Sequence, residues 1–349
     1  MLAPAIKSQQ SNFLKVMITR RTALKSLIAG TVTTLAGRSF ALAPDVSVAA
    51  ERFGVKGDGE TNDRISLQRA IDQCVGKPLL ISGAVRIDAA GLVLRRGSHI
   101  RFSKSASIKL LPHSQNNYQI FRVWDTSDVT IEGAAIDGSR ELCSAPDDPR
   151  ANGYGMGISI AGSSRILLRG VSTKGCWGDG IYIANSFKNA DQISSDITVF
   201  DHHADACRRQ GVSIISGRNV SFIDPVWENI GGTLPSAGLD IEPNSNHDVL
   251  ERIVIKNPLT RHCRSGIEMW LDRMLGPVPK DINIKIYNHR DEGSINAYKV
   301  MGLKRCNFGV TGNIVSEDPT WVGSRAKPEI VAGIECSSVL VSTVRPKIR

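Results

Sequence analysis

Apolar and polar residues along this chain alternate in short runs, and the runs repeat. A glycine followed by an aliphatic residue recurs at Gly157-Ile158, Gly180-Ile181, Gly211-Val212, Gly238-Leu239, Gly266-Ile267 and Gly333-Ile334. The glycines fall 23, 31, 27 and 28 residues apart, and a 67-residue gap follows that Ser294-Ile295 divides. Each pair opens an apolar-x-apolar run of strand length. A second series runs out of phase with the first: His99-Ile100, Asp128-Val129, Arg165-Ile166, Asp196-Ile197, Asn219-Val220, Arg252-Ile253, Asp281-Ile282 and Asn307-Phe308. Two interleaved ladders with a period in the twenties to thirties predict a solenoid of short strands. A solenoid lays equivalent positions from distant sequence on one face, so the repeat also says which residues share a site.

Upstream of the ladders the period changes. After Phe53-Gly54-Val55-Lys56-Gly57-Asp58-Gly59 comes a helical pattern with Ile65, Leu67, Ala70 and Ile71 on one side, capped by Asn62 or Asp63. A short helix here would cover the open apolar end of the first rung. From Leu79 onward the helical period is gone. Leu79-Leu80-Ile81, Leu92-Val93-Leu94, Ile100-Arg101-Phe102 and Ile108-Lys109-Leu110 are strand-length apolar runs split by Gly and Ser.

The stretch Phe53–Cys74, then Ser82-Gly83-Ala84-Val85-Arg86-Ile87, then Ile131-Glu132-Gly133-Ala134-Ala135-Ile136-Asp137-Gly138 resembles the opening of pectin-lyase-like proteins. Family-28 polygalacturonases and phage tailspike depolymerases share it. With the ladders, the resemblance covers about residue 50 to residue 340. It implies an all-β fold, a single-stranded right-handed parallel β-helix with a short N-terminal capping helix. It specifies fold better than chemistry.

The ladder serves as a coordinate system for the chemistry. If the aliphatic residue after each glycine points inward, the next residue points outward. That outward column reads Ser159, Tyr182, Ser213, Asp240, Glu268, Asn296 and Glu335. Two positions on, it reads Ala161, Ala184, Ile215, Glu242, Trp270, Tyr298 and Ser337. Three positions before the aliphatic residue stand Gly155, Gly178, Arg209, Ser236, Arg264, Glu292 and Val331. Asp240, Glu242 and Glu268 thus collect on two consecutive rungs about 4.8 Å apart. Stacked carboxylates are relieved by a counter-ion or by one raised pKa, which provides an acid and a base near neutral pH. Trp270, Tyr298 and Tyr182 would offer faces to sugar rings. Arg209 and Arg264 would meet uronate carboxylates or neutralise the acids. Against this stands the ordinary reading of any single outward residue as a solvated strand position.

Trp177-Gly178-Asp179-Gly180-Ile181 resembles the Asn-Thr-Asp-Gly rung of family-28 hydrolases, which implies a catalytic role for Asp179; a tight glycine turn is the alternative. The Asp-Asp pair that follows in the family is Arg209-Gln210 here, and its Gly-His-Gly and Arg-Ile-Lys motifs have no counterpart. Cys207-Arg208-Arg209-Gln210-Gly211-Val212 to Pro243 is similar to rungs of alginate epimerases and lyases, without their catalytic Asp-Pro-His-Glu run. Asp201-His202-His203-Ala204-Asp205 lacks the strand or helix spacing that would aim its side chains at a metal. His202 or His203 fits a substrate contact better, while His247, His262 and His289 read as surface or turn histidines.

Charge and cysteines refine the class. The 349 residues carry a formal charge of +9. Residues 1–43 hold six of the basic residues and no acid, and the remainder has 37 basic against 34 acidic residues. That balance gives no argument for nucleic acid. Thr19-Arg20-Arg21-Thr22-Ala23-Leu24-Lys25 and the uncharged stretch Ser26–Gly37 resemble a twin-arginine export signal, ending near Ala41-Leu42-Ala43. The resemblance implies a signal over residues 1–43 handled by the Tat translocase, and a β-helix domain over 44–349. The mature protein would be periplasmic or secreted in a bacterium, without membrane attachment. Seven cysteines show no metal-type spacing. Cys176, Cys207 and Cys263 sit at like positions on their rungs and read as a buried apolar stack, with Cys176–Cys207 pairing as the alternative.

Three classes stay open. The first is an exported glycoside hydrolase that cuts an acidic polysaccharide without a cofactor, with Asp240, Glu242, Glu268 and Asp179 as catalytic groups. Tyr182, Arg209, Arg264, Trp270, Tyr298 and His203 would be its substrate contacts. The second is a lyase or epimerase that abstracts the proton alpha to a uronate carboxylate, with an arginine or a bound Ca²⁺ neutralising that group. The third is a non-catalytic glycan-binding or structural solenoid.

Overall fold

A computed structural model describes residues 46–146, 153–304 and 309–349. The expected export signal over 1–43 and the pair Asn307-Phe308 lie outside the described residues. The described residues form a right-handed parallel β-helix. Three parallel sheets of eleven, eleven and nine strands run along it; each turn between the first and the last contributes one strand to each sheet, and the two end turns lack a strand in the nine-stranded one. We number them sheets 1, 2 and 3 in the order the chain visits them. One turn runs through Ser164–Arg169 in sheet 1, Ser172–Lys174 in sheet 2 and Asp179–Ala184 in sheet 3.

The glycine-aliphatic ladder is sheet 3. Ile158, Ile181, Val212, Leu239 and Ile267 stand in register on successive strands and are fully buried. Each such side chain contributes about 1.5–3 kcal/mol by leaving water. The glycine before it is fixed by a close approach. A methyl group on Gly211 would stand 2.6 Å from the Gly238 carbonyl oxygen, and one on Gly238 would stand 2.7 Å from that of Gly266. Sheet 2 closes the space from the other side, with Trp227 Cβ 3.2 Å from either position.

The second ladder is sheet 1. Val129, Ile166, Ile197, Val220 and Ile253 stack in register inside the helix. The polar residue before each turns the chain with a left-handed backbone: Asp128, Arg165, Asp196, Asn219 and Arg252 have φ between 53° and 60°. Asp and Asn tolerate that conformation better than most side chains. The ladder slips at Asp281-Ile282, because Ile253 pairs with Ile284.

In sheet 3 the rung after Gly266-Ile267 is Ala297-Tyr298, not Ser294-Ile295, since Ile267 pairs with Tyr298. Tyr298 therefore points inward, fully buried and stacked on Trp321 with ring centroids 6.0 Å apart. Gly333-Ile334 follows the last sheet-3 strand, Glu329–Ala332, and opens none.

The helix Arg64–Gln73 buries Leu67, Ala70 and Ile71, while Ile65 is exposed. It does more than cover apolar surface. Gln68 donates to the Val93 carbonyl at 2.9 Å and accepts from the Val93 N–H at 2.8 Å, satisfying the edge strand Leu92–Val93 of sheet 3. Asp63 stands at the N-cap position, yet its carboxylate accepts from the Lys56 and Gly57 N–H groups at 2.7 and 2.9 Å. The Lys56-Gly57 bend is thus held by the residue just before the helix.

Cys176, Cys207 and Cys263 are buried free thiols, as the apolar-stack reading requires. Cys176 and Cys207 touch without a disulfide, and their contact together with burial pushes the Cys176 thiol well up. His289 is fully buried, and so is His202; neither is a surface group. His202 takes the Trp227 indole N–H on Nδ1 at 3.1 Å, and His289 takes that of Trp321 at 3.2 Å. Each meets a threonine hydroxyl at Nε2, Thr173 at 3.0 Å and Thr260 at 2.8 Å.

Candidate active site on sheet 3

The outward face of sheet 3 carries one in-register column: Tyr182, Ser213, Asp240, Glu268 and Lys299. Asp240 and Glu268 are direct neighbours on adjacent strands. Glu242 and Trp270 stand two residues beyond Asp240 and Glu268 and line the same groove, with Arg209, Leu234, Pro235 and Arg273. The groove encloses about 380 Å³.

The glycine kink gives the groove its second row. Strict alternation would turn the residue before each glycine inward, toward the core. Instead it reaches the outward column three times. The Ser213 hydroxyl donates to Asp179 at 2.9 Å, Gln210 Nε2 to Asp240 at 2.9 Å, and the Ser265 hydroxyl to Glu268 at 2.6 Å. Asp179 thereby faces the groove side although it lies two rungs from Asp240.

Arg209 joins the two. One guanidinium nitrogen is 3.5 Å from Asp179 and another is 3.4 Å from Glu242. Lys299 Nζ is 2.9 Å from Glu268. Four carboxylates thus share two close cations, which leaves an excess of negative charge in a poorly solvated place. Asp179 and Asp240 are 0% and 1% exposed. Burial, and after it the Glu242 charge, holds the Asp240 carboxyl well above the usual carboxylate range. Burial pushes Asp179 up to about 6 against the pull of Arg209 and the Ser213 hydroxyl. Asp179 Oδ1 and Gln210 Oε1 are buried without a hydrogen-bond partner. Such an arrangement can hold a proton on one carboxyl beside an ionised one.

The remaining expected contacts divide. Trp270 is 40% exposed and walls the groove beside Glu242. Tyr182 lies on the column, half-buried, and stacks with Phe187. Tyr298 cannot serve as a sugar platform, because its ring is in the core. His203 belongs to a sheet-2 strand and pairs with Glu228 at 2.8 Å, on a different face of the helix. His202 is buried and equally out of reach. Arg264 is exposed but lines a neighbouring depression with Ser236 and Arg325, not the carboxylate groove. The sequence reading missed Lys299, Gln210, Ser265 and Arg273. Lys299 was legible as Ala297-Tyr298-Lys299, which matches Gly266-Ile267-Glu268 at a spacing of 31. Gln210 and Ser265 required knowledge of the kink.

A family model described as "Right handed beta helix region" matches residues 81–251. An uncharacterized Bacillus subtilis protein, YclG, is 26% identical over 224 residues, which cover 57% of this chain and 38% of its own. The solved pre-mature gene product 12 of bacteriophage phi29 has a TM-score of 0.66 at 14% identity, over 86% of this chain and 42% of its own. A 1,3-α-1,4-β-D-galactose-4-sulfate-3,6-anhydro-D-galactose-2-sulfate 4 galactohydrolase has a TM-score of 0.60 at 14% identity, over 80% of this chain and 72% of its own. The chain spans less than half the length of the YclG and phage proteins. The fold is shared with a glycoside hydrolase and with a phage protein alike.

Proposed function

We propose that this protein is a polysaccharide-cleaving enzyme of glycoside-hydrolase type whose active site is the sheet-3 groove. The observation that carries the reading is the fully buried Asp240 carboxyl between Glu242 and Glu268, whose ion-pair partners among the described residues are Arg209 and Lys299. A structural solenoid gains nothing from carboxylates stacked in this way, since they weaken its fold. Asp240, held protonated by burial, is the general acid that protonates the leaving oxygen. Glu242 has the most accessible carboxylate of the group, 24% exposed at its side chain, and activates the water. Glu268 and Asp179 set the field around them through Lys299 and Arg209. Trp270 gives a sugar ring its apolar platform. The enzyme works in the periplasm or outside the cell, delivered by the twin-arginine pathway.

A panel of pectic, alginate and bacterial polysaccharides, read for new reducing ends and for unsaturated-uronate absorbance, tests this. Reducing ends without absorbance are expected, and Asp240→Asn and Glu268→Gln should abolish them with the fold intact. Both signals together would make the protein a lyase. Wild-type rates in both variants would remove the site. A second reading, a glycan-binding or structural β-helix, is favoured by the likeness to the phage protein; glycan binding without turnover across the panel would support it.

A further inference from the structure

A second feature of the sheet-3 face lies toward the N-terminal end of the same column. Trp124, Tyr154, Tyr182 and Phe187 line a cleft of about 320 Å³, with the amides of Asn117 and Gln119 at its rim. The rings are arranged around an opening rather than packed shut. Phe187 meets Trp124 edge-on at 4.9 Å and lies parallel to Tyr182 at 6.3 Å, yet it is 58% exposed. Tyr154 is 43% exposed. Phe187 sits on a loop that the Ser186 hydroxyl fixes by accepting from the Lys188 and Asn189 N–H groups. No core requires these rings at the surface, and a fixed loop holds one of them out.

The lining differs from the groove in its chemistry. It offers ring faces and neutral amides, and its lining residues include no Asp, Glu, Lys, Arg or His; the Arg122 cation lies over the Trp124 ring at 5.7 Å from its centroid. Tyr182 belongs to the column that contains Asp240, two strands away, so cleft and Asp240 lie about 10 Å apart along the helix axis, with Asp179 on the strand of Tyr182 itself. A chain laid along the axis crosses both. We infer that the cleft is a subsite for one uncharged pyranose ring of the polysaccharide held in the groove. The inference rests on the proposed function for the course of that chain. It implies a substrate with neutral units, not a polyuronate throughout.

The test uses the full chain carrying Glu268→Gln, so that binding is read without turnover. Gluco-, manno-, galacto- and xylo-hexaoses and a hexagalacturonide serve as probes, by saturation-transfer NMR and titration. At least one neutral hexaose should bind, and Phe187→Ala and Tyr154→Ala should each weaken it about tenfold. Both side chains are largely exposed, so either variant should fold. Three results would overturn the assignment: no neutral hexaose binds, binding is unchanged in both variants, or only the hexagalacturonide responds to them. The outcome is separable from the enzyme proposal. Binding sensitive to Phe187→Ala without turnover on any polysaccharide sinks the enzyme and keeps the cleft. Turnover indifferent to Phe187→Ala, without such binding, does the reverse.

Discussion

Replacing Asp179 by Asn should stabilise the protein at neutral pH, by an amount that vanishes in mild acid. Asp179 is fully buried and its pKa stands at about 6, against 3.8 for a free side chain. The folded state therefore binds its proton more tightly than the unfolded state does. Between those two values the folded chain carries more protons, so stability falls as pH rises through the window. By pH 7 an ionised Asp179 costs about 3 kcal/mol relative to the unfolded chain, and at pH 4 about 0.5 kcal/mol. Asparagine has nearly the same shape and can still accept from Ser213 and Arg209, while its amide N–H₂ replaces the partnerless Oδ1. It carries no titratable charge. The stability difference between variant and wild type should then change by about 2.5 kcal/mol from pH 4 to pH 7, in favour of the variant at pH 7. Urea unfolding followed by circular dichroism at both pH values measures it. A difference independent of pH would refute the burial argument, as would a variant that is less stable at pH 7 than at pH 4 relative to wild type. Activity should fall in the same variant, because Arg209 would then be shared among fewer acids.

Gly211→Ala should cost about 1–3 kcal/mol in urea unfolding, because its methyl group meets the Gly238 carbonyl oxygen. Gly231→Ala, with nothing within 4 Å, is the control and should be neutral or slightly stabilising. His202 and His289 are buried and held neutral, with pKa values near 3 that burial imposes. Here the unfolded state binds the extra proton, so stability is lost as pH falls from about 6.5 toward 3, at about 1.4 kcal/mol per pH unit for each. Urea midpoints at pH 7 and 5 should drop less in a His202→Gln/His289→Gln variant than in wild type, and equal drops would count against it. Lys299→Met should lower turnover without moving the fold, since it removes the cation from Glu268; unchanged turnover would exclude Lys299 from the site.

The glycine ladder was legible because it records a steric prohibition. Wherever a methyl group would strike the carbonyl of the next rung, glycine is forced, and the period shows in plain sequence. It failed at Ala297, where the chain places a methyl group in that column and an aromatic ring at the next position. Tyr298 then reads as an outward aromatic by spacing alone, although Trp321 and the core claim it. The same residue type that makes the ladder readable also hides half of the site. By kinking each strand, glycine breaks the alternation of period two that any sequence reading assumes. The residue before the kink and the residue two beyond it come to one face, as Gln210 and Asp240, Asp179 and Ser213, and Ser265 and Glu268 demonstrate.

That kink also resolves an apparent conflict between two lines of evidence. The family resemblance points to Asp179, whereas the columns point to Asp240 and Glu242, two rungs away, and Glu268, three rungs away. If strands alternated strictly, these would be two sites, and one of them would be spurious. Because the kink turns Asp179 outward, a single guanidinium spans the distance, within 3.5 Å of Asp179 and 3.4 Å of Glu242. Arg209 stands where the family-28 hydrolases that this stretch resembles have an aspartate. With a cation at that place, the acids on either side of it are electrostatically one group. On this argument Arg209→Asp should not restore a polygalacturonase arrangement. It would crowd a further carboxylate against Asp179, Asp240 and Glu242, raise the pKa values of Asp179 and Asp240 further, and unfold at lower urea than wild type at pH 7 but not at pH 4.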